Sequence, residues 1–81
     1  VNGNDMDKLD VLRRIWIEIL EDEDITDDDN FLAIGGDSMM ALEVASRARE
    51  LGLEVSDSAV LRHPVLRDLA DVAGFAPAQA G

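Results

Sequence analysis

Phe31-Leu32-Ala33-Ile34-Gly35-Gly36-Asp37-Ser38-Met39-Met40-Ala41-Leu42 is the stretch on which the fold turns. Its four apolar leaders are too few for an ordinary helix, and the following Gly-Gly pair reads as a tight turn that Phe31 anchors. Asp37 then suits the cap of a helix, because a short carboxylate can accept from the unpaired amides of the first turn. That helix is predicted to run to about Leu51 and to end at Gly52 in the C′ position. Leu42, Ala45, Ala48 and Leu51 form its expected core stripe, with Ala41 and Val44 beside it. Ser38 falls in the first turn, where free N–H groups and the positive end of the helix dipole favour a phosphate on its hydroxyl. Met39 and Met40 lie about 100° apart around a helix, so both cannot face one core and one of them should be exposed.

Working outward, Met6, Leu9, Leu12, Ile15, Trp16, Ile19 and Leu20 recur at helical spacing, which predicts a first helix over 6–20 capped by Asp5. Lys8, Arg13 and Arg14 fall off its apolar stripe. Between the two helices, Glu21 to Asp29 carries seven acidic residues in nine. That run reads as a self-repelling, solvated loop pinned by Ile25. Beyond the second helix, Ser56 is the expected cap of a short third helix through Val60 and Leu61 to Arg62. His63-Pro64 interrupts it, since the residue before proline is pushed out of the helical region. A last helix is expected over 65–73, with Leu66, Leu69, Ala70 and Ala73 inward and Gly74 as its stop. No alternating strand pattern and no internal repeat is present. The expectation is an all-α fold, a small four-helix bundle with a long first loop and a short third helix, over residues 5–74. Residues 1–4 read as an N-terminal tail and 75–81 as a C-terminal tail or linker.

Composition narrows the function. The 81 residues carry 18 acidic and 7 basic side chains, a net charge of −11, and no cysteine. A chain of this size buries only about 60% of the surface exposed by its unfolded form, which leaves little room for an enclosed active site. Without cysteine there is no disulfide framework and no thiolate metal site. The acidic balance repels nucleic-acid backbones and acidic lipid surfaces, and no uncharged run is long enough to span a membrane. A soluble cytoplasmic monomer with basic partners is the expectation. Two sharper chemistries fail on spacing. A nucleophile elbow needs glycine two residues past Ser38, where Met40 stands, and His63 is the sole histidine. A calcium loop counted from Asp22 meets Thr26 at its fifth position and Asp27 where glycine belongs, while one counted from Asp27 ends on Ser38. No catalytic residue and no metal site is therefore assigned.

Three ordered segments resemble the thiolation, or peptidyl carrier, domains of nonribosomal peptide synthetases. They are the quoted core, the Ile15-Trp16 end of the first helix with the loop from Ile25 to Phe31, and His63-Pro64-Val65-Leu66-Arg67-Asp68-Leu69-Ala70. Val65 stands where the family frequently has threonine, a departure that weakens the cap of the last helix. The resemblance implies an acyl carrier protein-like bundle that performs no catalysis. A phosphopantetheinyl transferase, with coenzyme A and magnesium, would attach 4′-phosphopantetheine to Ser38, flanked by Gly36 and Asp37. The arm's thiol would then hold an aminoacyl or peptidyl group between adenylation, condensation and other tailoring or release domains. Met39 is the implied docking contact; Met40, shared between core and surface, and Glu43 are further candidates, and so are Val60 and Leu61, at least one of which is expected to be buried. An acyl carrier protein of fatty acid or polyketide synthesis shares the Asp-Ser step and the acidity. Gly35-Gly36 and His63-Pro64 favour the peptidyl branch.

Overall fold

The computed structural model describes residues 7–75. Four helices, α1 (Lys8–Leu20), α2 (Ser38–Glu50), α3 (Ala59–Arg62) and α4 (Leu66–Val72), and two short strands, β1 (Leu53–Glu54) and β2 (Gly74–Phe75), follow one another in the order α1-α2-β1-α3-α4-β2. α1 packs on α2 and α4, and α3 packs on α2 and more lightly on α4. None of these helices is long and apolar enough to cross a membrane.

Helix α1 forms because its apolar residues share a face, and Leu12, Ile15 and Trp16 are buried along it. Its cap is Asp7, whose side chain accepts from the Asp10 amide. The helix thus starts two residues later than the periodicity predicts; Asp5 and Met6 lie outside the described residues. At the other end Glu21 takes a left-handed conformation, φ 56°, and its amide donates to the Ile17 carbonyl. A Cβ-bearing residue is disfavoured there by roughly 1–2 kcal/mol.

On α2 the buried residues are Ala41, Val44, Ala45 and Ala48. The expected stripe through Leu42 and Leu51 is corrected, because both side chains are about half exposed or more, at 49% and 62%. Three alanines on the inner face let α2 lie close to its neighbours, and the long leucines are left at the edge. The helix closes at Leu51, followed by Gly52 at φ +94°.

Helix α3 is only one turn long. Its N-cap is Ser58, without a side-chain bond, while Ser56 contributes its carbonyl to the Ala59 amide instead of capping. His63, with φ −130° and ψ 73°, leaves the helical region ahead of Pro64 as expected.

In α4, Leu66, Leu69 and Ala70 face inward, and Ala73 is buried just past the end. No side chain caps this helix at Val65. Two of its free amides are taken by the first loop: Leu66 N–H donates to the Asp29 carbonyl at 3.1 Å and Arg67 N–H to the Asp27 carbonyl at 2.9 Å. Asn30 and Val65 form an isolated antiparallel bridge at the same place. The strand pair, with Leu53 opposite Phe75 and Glu54 opposite Gly74, shows no sequence pattern because each strand is two residues long. It sets Phe75 beside Leu53. Near the same end, Lys8 Nζ donates to the Ala73 carbonyl at 2.7 Å and ties the start of α1 to the end of α4.

The core contains no buried polar or charged residue among those described. Ala45→Leu is expected to cost about 1–3 kcal/mol in urea denaturation by forcing α2 outward, whereas Leu42→Ala should change stability by under about 0.5 kcal/mol. Glu21→Gly should raise stability by about 1 kcal/mol, since it relieves the left-handed residue and removes a negative charge from the α1 C-terminus.

Candidate functional site

Ser38 is the first residue of α2, and its position follows from the two glycines before it. The glycines serve different physical needs. Gly35 has φ +113°, a conformation that side chains resist, and nothing lies within 4 Å of the place its Cβ would occupy. Gly36 has no such angle; its need is for space. A Cβ there would stand 2.8 Å from Cζ of Phe31, with Cδ2 and Cε2 closer still. The Gly36 amide donates to the Phe31 carbonyl at 2.9 Å, which holds the two residues together. The sequence reading assigns both glycines to the turn; the shape requirement at Gly36 becomes visible only once Phe31 is folded back beneath it.

Phe31 is itself fully buried, with its ring 4.9 Å from that of Trp16 and tilted by 60°. Such tilted aromatic pairs contribute beyond their buried area. Asn30 holds the start of this turn, its Oδ1 accepting from the amides of Leu32 and Ala33 at 2.9 and 3.1 Å.

Past the glycines the chain extends through Asp37, φ −139° and ψ −176°, and enters α2. Asp37 caps as predicted: Oδ1 accepts from the Met40 amide at 2.9 Å, and its carbonyl accepts from the Ala41 amide at 2.9 Å. Among the described residues nothing accepts from the amides of Ser38 and Met39, and nothing pairs with the Ser38 hydroxyl. Ser38 is exposed. A phosphoester on this hydroxyl would therefore meet free N–H groups and the positive helix end, an interaction worth about 0.3–1 kcal/mol.

The surface around Ser38 is partly apolar. Met39 is 76% exposed, whereas Met40 packs partly against the core, the division that their angular separation requires. Leu61 on α3 is exposed, but Val60 is fully buried. Val60, a docking candidate by sequence, is therefore the buried member of the pair and belongs to the core: with a one-turn helix facing α2, one of two adjacent apolar side chains has to point inward, as expected. Glu43 is exposed and paired with Arg47, which also reaches Glu18. Leu32 and Leu42 are two further exposed apolar side chains beside the turn and on α2 that sequence reasoning did not assign to this surface. The missed signal was Leu42's place three residues past Met39, on the same side of the helix.

The acidic loop is less free than its composition implies. Asp27 pairs with Arg13 of α1, and Asp28 pairs with Arg67 of α4 at 2.8 Å. Asp29 accepts from the Thr26 amide at 2.9 Å, and Asp22 from the Asp24 amide at 3.0 Å. The hydrogen bond to Asp27, foremost, raises the Arg13 pKa above its ordinary value, and the bond to Asp28 does the same for Arg67. Both arginines stay charged at any pH the domain would meet. Among the described residues no group of three or more histidines or carboxylates is gathered as a metal would need. His63, partly buried, donates its amide to the Ala59 carbonyl at the end of α3. A surface hollow of about 460 Å³ is bounded by Arg49, Leu53, Glu54, Val55 and Ser56 and involves none of the residues around Ser38.

Comparison with known proteins places this geometry. A family described as a phosphopantetheine attachment site matches residues 10–73. The chain is 45% identical over 64 residues to the nonribosomal peptide synthetase fmqA of Aspergillus fumigatus, covering 76% of this chain and 2% of that protein. It is 41% identical over 58 residues to a plipastatin synthase of Bacillus subtilis, covering 72% of this chain and 2% of that protein. The chain therefore spans only a small fraction of the length of these relatives. Among solved structures, a nonribosomal PCP domain superposes with a TM-score of 0.82 at 36% identity, covering 95% of this chain and 100% of that one. A crystal structure of holo T3CT gives 0.78 at 31% identity, covering 84% and 95%.

The cap offers a direct check. Asp37→Ala is expected to lower stability by about 1 kcal/mol in urea denaturation, and Asp37→Asn, which keeps the acceptor, by only a few tenths, roughly.

Proposed function

The chain belongs to the phosphopantetheine attachment-site family, and from that membership we propose that it acts as a peptidyl carrier domain with Ser38 as the residue that bears the arm. The family's cofactor is 4′-phosphopantetheine, covalently attached. Likeness to nonribosomal peptide synthetases and to a PCP domain supports the peptidyl branch over fatty acid or polyketide carriers. The observation that carries the assignment of Ser38 is its exposed hydroxyl at the first position of α2, unpaired among the described residues and beside two amides with no acceptor among them.

In the loading step a phosphopantetheinyl transferase, with magnesium, presents coenzyme A to Ser38. The serine oxygen gives up its proton and bonds to the phosphorus next to pantetheine. The pyrophosphate bond breaks, and adenosine 3′,5′-bisphosphate leaves. When bound, the arm supplies a terminal thiol on which an aminoacyl or peptidyl group travels as a thioester. The chain's own residues present the hydroxyl and cap the helix behind it. Asp37 is turned toward the Met40 amide, which keeps its carboxylate engaged beside the incoming phosphate.

In this reading the domain is a carrier and performs no chemistry of its own, in keeping with its membership of the attachment-site family. Adenylation, condensation and other tailoring or release domains are its proposed partners, met through Met39, Leu61 and the exposed part of Met40, with Glu43 at the rim. An exposed, flexible thioether suits serial contact with surfaces of different shape.

Incubation with coenzyme A, magnesium and a broad-specificity phosphopantetheinyl transferase should add one phosphopantetheine to the intact mass, and Ser38→Ala should abolish the gain. No gain on folded wild-type protein would overturn the assignment. Met39→Asp should leave helix content unchanged by circular dichroism while slowing loading, since the side chain is largely outside the core.

A further inference from the structure

We propose that Phe31 is a positioning residue for Ser38, joining the junction between α3 and α4 to the turn that presents the serine. The inference rests on the reading of Ser38 as the attachment residue. On the junction side, the Phe31 amide donates to the Pro64 carbonyl at 2.7 Å. The neighbouring Asn30–Val65 bridge and the bond from Leu66 N–H to the Asp29 carbonyl fix the same few residues. On the serine side, the Phe31 carbonyl accepts from the Gly36 amide, and the ring fills the volume a Gly36 side chain would need. Gly36 leads directly into Asp37 and Ser38.

The ring cannot yield outward. It is fully buried, and Trp16, also fully buried, stands 4.9 Å away between ring centroids. A packed interior transmits a displacement of this kind instead of absorbing it. The height of the Gly36 backbone above the ring therefore sets where Asp37 starts the helix and where the Ser38 hydroxyl points. Phe31 is buried beneath the turn and acts on loading only through Gly36.

The test uses the full chain with coenzyme A, magnesium and a phosphopantetheinyl transferase, at a temperature where circular dichroism shows each variant folded. Gly36→Ala should lower kcat/KM for loading by roughly tenfold to a hundredfold, the scale on which small misplacement of a reacting group acts. In Phe31→Leu/Gly36→Ala the shorter side chain vacates the space the ring held, and most of that loss should be recovered. Leu53→Val is the stability control: Leu53 is buried in the strand pair, away from the turn, so the change lowers the Tm but leaves Trp16, Phe31 and Gly36 as they are, and kcat/KM should stay within about twofold of wild type on the same reasoning. Phe31→Leu alone should slow loading well beyond Leu53→Val, and this comparison carries the test should Gly36→Ala not fold. Rates that simply follow Tm across the set, or a double variant as slow as Gly36→Ala, would overturn the inference. Failure of the wild type to load at Ser38 would instead overturn the underlying assignment, so the two failures are distinct.

Discussion

The contact between the Phe31 ring and the bare backbone of Gly36 is the constraint on which the presentation of Ser38 depends. It turns the chain out of a long loop and into α2 at one defined place. Trp16 backs the ring from α1, so the first helix, the loop and the second helix meet around one aromatic pair. Were Gly36 larger or Phe31 smaller, the glycine at 35 would still permit a turn, but nothing would determine its height. Conformational freedom and close packing are separate demands, and the adjacent glycines meet one each.

The loop is held by what other helices leave unsatisfied. The first turn of α4 has amides without acceptors, as every helix does. Here the carbonyls of Asp27 and Asp29 supply them, and Val65, with no capping side chain, is tolerated for that reason. The arginines then add charge to the same seam, Arg13 from α1 and Arg67 from α4. Exposed pairs such as Arg67 with Asp28 contribute little individually, about 0–1 kcal/mol. Their value lies in quenching part of a run of like charge that would otherwise push the loop away from the bundle.

Much of this was legible in the sequence, and the misses have physical causes. The four helices, the Asp37 cap, the Gly52 stop, the break at His63-Pro64 and the burial of Phe31 and Ile25 follow from local chemistry, which a linear sequence displays well. On α2 the expected stripe runs from Leu42 through Ala45 and Ala48 to Leu51, whereas the buried face keeps the two alanines and takes Ala41 and Val44 in place of the leucines. Hydrophobicity favours the leucines, yet close approach to α1 selects the small residues. Ser56 offers a good capping side chain, but the one-turn α3 begins three residues later, and its first amide is met by a backbone carbonyl. The two-residue strands are defined by pairing between residues some twenty positions apart and leave no periodic trace. Around Ser38, the serine and its exposed methionine were readable, whereas the inward turn of Val60 and the exposure of Leu32 and Leu42 depend on how the helices pack.

An interior with no ionisable side chain among the described residues separates two things that proteins often have to trade against each other. Every ionisable side chain among the described residues lies outside the buried core, so none has to keep its charge, or lose it, for the helices to stay packed. Substitutions that recolour the outside, away from the Asp37 cap and the ion pairs of the loop, thus leave the frame nearly untouched. One scaffold can then be readdressed to many different neighbours by changing its surface alone, with the serine turn kept as the shared fitting.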